Sequence, residues 1–303
     1  MKPSDKLIVI LGPTASGKTQ LAIKLAKKFN GEIISADSRQ VYKGMDIGSG
    51  KVTKKEMQGI PHYLLDVANP KNKFTVSQYQ KLVQVAIKKI RKKDKIPFLV
   101  GGSGFYIQSI VDEIIIPEVK PDWKLRKELR KKSAKELFLM LKNLDPERTK
   151  TIDENNPRRL IRALEIVIKT GAEVPALNKL KKPAFNVLEI GIAKSKDEIK
   201  KLINKRLLKR LNQPNGGKMV LEVKNLKTSG LSFKRLEEFG LEYRFVAQYL
   251  QNKITYQEMV DKLKKEIENF AKRQMTWFKR DKRVHWIKNY KEAEELVKSF
   301  LRS

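Results

Sequence analysis

Gly12-Pro13-Thr14-Ala15-Ser16-Gly17-Lys18-Thr19 stands between the apolar run Leu7-Ile8-Val9-Ile10-Leu11 and a helical pattern spanning residues 17–29. A strand, a glycine loop and a helix in that order make a phosphate-binding loop. Gly12 and Gly17 let the backbone curl until successive N–H groups point at anionic oxygens. The helix adds about half a positive charge at its N-terminus. Lys18 supplies a point charge, and the Thr19 hydroxyl can sit on a magnesium ion. The loop specifies a di- or triphosphate ligand without saying which one.

Working outward, Glu32–Ser35 reads as a second strand and ends in the polar cluster Asp37-Ser38-Arg39-Gln40. Residues 41–60 read as loop with a short helix, and His62–Val67 as a further strand. Thr75 and Gln78 form a capping box for a helix running to about Lys93. Ile96–Val100 is a strand followed at once by Gly101-Gly102-Ser103-Gly104. Strands alternating with helices predict a parallel sheet covered on both faces. From 117 to 182 the pattern is helical throughout, with a Ser133/Glu136 capping box, Asn156-Pro157 opening one helix and Gly171 closing it. Strands return at 187–193 and 285–287, and Asn212–Lys218 reads as an exposed turn. The expected architecture is therefore α/β, a P-loop NTPase-like parallel sheet with helices on both faces, plus an inserted all-helical domain. Its segments are 1–116 (first part of the core), 117–183 (the insertion) and 184–303 (the rest of the core, with C-terminal helices).

Composition narrows the chemistry. The 303 residues include no cysteine, which excludes disulfides, thiol catalysis and Cys-ligated zinc and fits a reducing compartment. Only His62 and His285 are present, which argues against a histidine metal site. No apolar stretch approaches the roughly 20 residues that span a bilayer, and the short N-terminal run is no signal peptide, so the expected location is the cytoplasm. The net charge of +32 invites a polyanionic partner. Of the 66 basic residues 16 are Arg, and the lysine excess is spread evenly. A genome's base composition can produce such an excess, so the placement of arginines is the better guide.

Four segments carry polar groups that a fold alone does not require. Asp37 lies just past the second strand, at the edge where open parallel sheets bind ligands, although an Asx turn would also use it. Glycines at 101, 102 and 104 allow a ligand or another backbone to come close. Arg158, Arg159 and Arg162 open a capped helix whose other face carries Leu160, Leu164 and Val167, so the helix has a core side and a basic side. The fourth segment, Ala271–Arg280, ends a long helix that starts at a Thr255/Glu258 capping box. In it Leu263, Ile267, Phe270, Gln274 and Trp277 follow a core seam. Lys272, Thr276, Lys279 and Arg283 follow a second stripe suited to a phosphodiester backbone.

In this order, Gly12–Thr19, Ile34–Tyr42, Gly44–Gly48, Gly59–His62, Val100–Tyr106, Pro157–Glu165 and Ala271–Phe278 resemble the tRNA dimethylallyltransferases over nearly the whole chain. The resemblance implies transfer of a dimethylallyl group from dimethylallyl diphosphate to N6 of the adenosine 3′ to the tRNA anticodon, with Mg2+. It implies that Gly12, Pro13, Thr14, Ala15, Ser16, Gly17, Lys18 and Thr19 hold the diphosphate, that Thr19 touches the metal, and that Asp37, Lys18 and Thr19 are catalytic. It implies that the anticodon stem-loop meets Asp37, Ser38, Arg39, Gln40, Ser103, Arg158, Arg159, Leu160, Ile161, Arg162, Lys272, Arg273, Gln274, Met275, Thr276, Trp277, Phe278 and Lys279. A monomer of bacterial type, without a zinc finger, is expected. The segment Phe239–Arg244 departs from the family's usual pattern. Two other readings remain at this stage. One is a P-loop small-molecule kinase with Arg158–Arg162 as its lid. The other is a non-catalytic RNA-binding protein, which leaves the loop and Asp37 unexplained.

Overall fold

The computed structural model describes residues 5–117, 119–174, 185–211 and 217–303. Most of the turn expected at 212–218 and the end of the expected insertion lie outside the described residues. The chain divides into two compact units, Met1–Val111 with Pro183–Ser303, and Asp112–Lys182.

The first unit is built on a parallel sheet of β1 (Lys6–Leu11), β2 (Gly31–Ala36), β3 (His62–Tyr63), β4 (Ile96–Gly101), β5 (Asn186–Ile192) and β6 (His285–Ile287), in the order β3-β2-β4-β1-β5-β6. Central β1 is buried at every residue, which is why it reads as an unbroken apolar run: helices cover both of its faces. Alternate residues divide between the faces. Leu7, Val9, Leu11, Ile34 and Leu99 pack on the helices Val76–Arg91 and Gly104–Val111. Ile8, Ile10, Ile33, Phe98 and Ile190 pack on Lys18–Lys28 and Tyr290–Arg302. Burying each such side chain contributes about 1.5–3 kcal/mol. β3 is shorter than the strand expected at 62–67, because Leu64 and Asp66 adopt left-handed backbone (φ 64° and 57°), which ends the extension.

Register positions the site. Leu11 and Ala36 both stand opposite Gly101, so the loops after β1, β2 and β4 leave the same carboxyl edge side by side. β4 separates β1 from β2, giving the reversal in strand order at which open α/β sheets bind ligands. Above this edge a separate helical core gathers Ile203, Leu207, Val223, Leu236, Val246 and Leu263 against Val41 and Met45.

The second unit contains the helices Trp123–Leu129, Ala134–Leu144, Pro146–Thr149 and Pro157–Thr170. The local signals act as the sequence suggests: Ser133 and Glu136 cap reciprocally, Asn156 accepts from Arg159 N, and Gly171 closes its helix at φ 67°. Leu160 and Ile161 belong to this unit's core, together with Leu137, Leu141 and Leu164. The expectation that Leu160 and Ile161 face RNA is thereby corrected, since apolar side chains on the inner face of an amphipathic helix are spent on packing. Arg158 and Arg159 are exposed. Arg162 donates to the Val119 and Pro117 carbonyls and to Glu165. Glu165 is completely buried and also accepts from Arg126 and from Asp122 N. Burial pushes its carboxyl up, but the hydrogen bonds from Arg126, Asp122 and Arg162 outweigh that and hold it below the ordinary value.

Candidate active site

The loop after β1 curls as its composition requires. Gly12 (φ 155°), Ala15 (φ 63°) and Gly17 (φ 92°) occupy left-handed backbone, and Ser16 N donates to Pro13 O at 3.3 Å. The Lys18–Lys28 helix follows without a side-chain cap, which leaves its first N–H groups for a ligand. Lys18 folds back so that Nζ donates to Pro13 O at 3.1 Å. Its pKa falls to about 8. Burial is the main cause and the Arg206 charge adds to it, while Asp37 pulls the other way. Ser16 is 2% exposed, and its Oγ is buried without a hydrogen-bond partner. A buried, unpaired hydroxyl within the cradle is a donor free for an anionic ligand oxygen.

The sequence did not single out Arg206, on the helix Lys196–Leu211. Its Nη1 donates to Thr14 Oγ1 at 3.4 Å and its Nη2 to Gly50 O at 3.2 Å. Burial, then the neighbouring Arg210, lowers its pKa to about 10, against the pull of Glu242, Asp37 and Glu56. Arg210 donates to Gly48 O and to Glu242. The one sequence signal available was a pair of scarce arginines at i, i+4, hidden among the abundant lysines. The loop they grip is held from its other side by Glu222. Its Oε2 accepts from Asp46 N at 2.8 Å and Ile47 N at 2.6 Å, and its Oε1 from Gly48 N at 3.0 Å. Tyr243 Oη donates to Glu222 and accepts from Ser49 N. Within the atypical Phe239–Arg244 segment, Tyr243 thus braces this loop.

After β2, Asp37 Oδ1 accepts from Arg39 N at 2.8 Å and Gln40 N at 3.3 Å. This is an Asx turn that fixes the carboxylate. Ser103 Oγ accepts from Ser38 N at 2.9 Å, joining this loop to the turn after β4. Arg39 donates to Phe239 O, and Gln40 donates to Gly50 O. Electrostatically, Asp37 acts on both Lys18 and Arg206. Two cations and one carboxylate therefore share the edge of the sheet.

The long helix Tyr256–Phe278 crosses this edge. Lys272, Arg273, Thr276 and Lys279 are exposed, while Met275 and Trp277 are half-buried. Gln274 (7% exposed) and Phe278 (3%) point inward, and Gln274 bonds to Thr14 N and Gly102 O. Gln274 and Phe278 are thus corrected as RNA contacts, because the helix buries that face against the sheet edge. Arg283 lies beyond the helix and faces Glu189 and Asp281, so it does not prolong the basic stripe.

Thr19 is half-buried in the first turn of its helix. Among the described residues no group of three or more His, Cys, Asp or Glu could hold a metal ion. This donor set fits a hard cation bound mostly through ligand oxygens and water, with one protein hydroxyl, and does not fit an all-protein cage. Among the described residues no helix is long and apolar enough to cross a membrane.

Residues 40–281 match the family model described as IPP transferase. The chain is 40% identical to the tRNA dimethylallyltransferase of Carboxydothermus hydrogenoformans, covering 97% of this chain and 95% of that one. It is 38% identical to the enzyme of that name from a Thermoanaerobacter species, with 98% and 96% covered. The crystal structure of the full-length tRNA isopentenylpyrophosphate transferase from Bacillus halodurans superposes with a TM-score of 0.73 at 33% identity, covering 98% and 97%. A eukaryotic dimethylallyltransferase acting on tRNA gives 0.75 at 26% identity, covering 90% of this chain and 69% of that one.

Proposed function

The chain belongs to the IPP transferase family, the tRNA dimethylallyltransferases, and on that footing we propose how its sheet edge carries out the transfer. The enzyme is a prenyltransferase acting on tRNA. The donor is dimethylallyl diphosphate, and the acceptor is N6 of the adenosine 3′ to the anticodon. The observation that carries the assignment of roles is the meeting of Lys18, Arg206 and Asp37 at one edge of the sheet.

The adenosine N6 lone pair is delocalised into the purine and is a weak nucleophile. Asp37, held by its Asx turn, takes the N6 proton as the new C–N bond forms at C1 of the dimethylallyl group. General-base help of this kind is worth about 10²–10⁴-fold. The C1–O bond breaks, and its electron pair leaves on the diphosphate. Lys18, Arg206 and the N–H groups of residues 12–19 stabilise that charge where it develops. The donor set at Thr19 suits magnesium, which when bound neutralises part of the diphosphate charge. Reaching a base within the anticodon loop requires drawing it out of its stack. Ser38, Arg39, Gln40 and Ser103 shape the entry for that base. Arg158, Arg159, Lys272, Arg273 and Lys279 serve the RNA backbone, with the exposed Thr276 and the half-buried Met275 and Trp277 beside them. Segments 1–116 and 184–303 act as the catalytic core and 117–183 as an RNA-binding insertion, in a cytoplasmic monomer.

The kinase reading is not favoured. Arg162, which a lid would need free, is committed to Glu165 and to two main-chain carbonyls. The deciding assay is mass analysis of a tRNA anticodon stem-loop after incubation with dimethylallyl diphosphate and magnesium. One adenosine heavier by one dimethylallyl group is the expected product. Unmodified RNA, together with ATP turnover, would overturn the proposal.

A further inference from the structure

The carboxamide of Gln274 is engaged at both ends. Oε1 accepts the Thr14 N–H at 2.8 Å, and Nε2 donates to the Gly102 carbonyl at 2.8 Å. The partners demand opposite chemistry, a hydrogen-bond acceptor toward the phosphate loop and a donor toward the turn after β4. That fixes the orientation of the amide and excludes as equivalents an ionised carboxylate, which cannot donate, and apolar side chains, which do neither. We propose that Gln274 is a positioning residue for the donor site, holding the backbone of Thr14, and through it the anion cradle and Arg206, in binding shape. The inference rests on reading the cradle as the diphosphate site.

Three observations converge on it. First, Thr14 presents its hydroxyl to Arg206 Nη1, so the residue Gln274 fixes is the one that meets the second cation. Second, the close approach of the helix depends on absent side chains. A Cβ on Gly102 would overlap Gln274 Nε2, and one on Gly104 would overlap the Trp277 indole. These two glycines, read in the sequence only as permissive, are where the long helix rests. Third, Ser103 between them holds Ser38 N in the loop that carries Asp37. The amide thus ties the loop that leaves β1 to the turn that leaves β4, and Ser103 joins that turn to the loop after β2. The opposite side of its helix presents Lys272 and Lys279 to solvent.

The test uses the full chain with inorganic pyrophosphate and magnesium, titrated by calorimetry, and in parallel a labelled tRNA anticodon stem-loop. Gln274→Met keeps length and loses both hydrogen bonds. It should weaken pyrophosphate binding about tenfold and leave RNA affinity within about twofold. Gly102→Ala reaches the same bond from its other partner and should do the same, so the test stands even where one variant does not fold. In the double variant the two losses should fall short of their sum, because both act on one interaction. Unchanged pyrophosphate affinity in either variant, a loss confined to RNA, or strict additivity overturns the inference. A native protein that fails to bind pyrophosphate overturns the reading of the cradle itself, and the native titration alone reveals that.

Discussion

Lys18 makes diphosphate affinity depend on pH in a window below the ordinary lysine range. Its pKa of about 8, against 10.5 for a free lysine, follows from burial and from the Arg206 charge. If the protonated form binds the diphosphate, affinity scales as 1/(1 + 10^(pH − 8)). It should fall about tenfold between pH 7 and 9 and about tenfold again by pH 10. Binding between pH 8 and 9 should also take up a proton, because the bound anion raises the lysine's pKa. Calorimetry with dimethylallyl diphosphate in two buffers of different ionisation enthalpy measures both quantities. Lys18→Met should bind more weakly at pH 7 and lose the slope. Arg206→Gln should also bind more weakly at pH 7, but its decline should begin at higher pH, since the like charge is gone. The sign for stability is opposite. Between about pH 8 and 10.5 the unliganded folded state holds fewer protons than the unfolded chain, so it should gain stability as pH rises through that window. A flat affinity profile from pH 7 to 9.5, or a slope that survives in Lys18→Met, refutes the reasoning.

Asp37→Asn should lower turnover by about two orders of magnitude or more with tRNA affinity nearly intact, and full activity in single-turnover assays would remove Asp37 as the base. Replacing Lys272 and Lys279 with Gln should make the slope of log affinity against log salt shallower by about 1.4–1.8; an unchanged slope would mean the stripe is merely solvated. Glu165→Leu leaves Arg126 and Arg162 without their buried counter-ion and should cost about 3–5 kcal/mol in denaturant unfolding. A loss below about 1 kcal/mol would show that the arginines find water instead.

What the chain reveals on reading is local. β1 could be recognised because a strand covered on both faces is apolar at every position, and the capping boxes at Thr75, Ser133 and Thr255 each lie within four residues. The cradle and Asp37 were legible because glycine spacing and strand ends carry their own geometry. Arg206 was not, since its partners Thr14 and Gly50 lie far away in sequence. Gln274 lay on the seam read as core, but its main-chain partners Thr14 and Gly102 were hidden by distance in sequence, and the burial of Phe278 off that seam was not legible, because which face a helix buries depends on the surface it meets. β3 fell short of its apolar run because the backbone at Leu64 and Asp66 turns left-handed, a tertiary effect that composition does not announce.

The Glu222 carboxylate has a consequence for how many pyrophosphates the molecule can hold. Three successive amides at Asp46, Ile47 and Gly48 form a concavity of the kind that captures free anions, and here an internal glutamate plugs it permanently. The plug keeps a free anion such as pyrophosphate from settling on these three amides. With that concavity filled from within, a departing diphosphate finds no second anion seat at this loop.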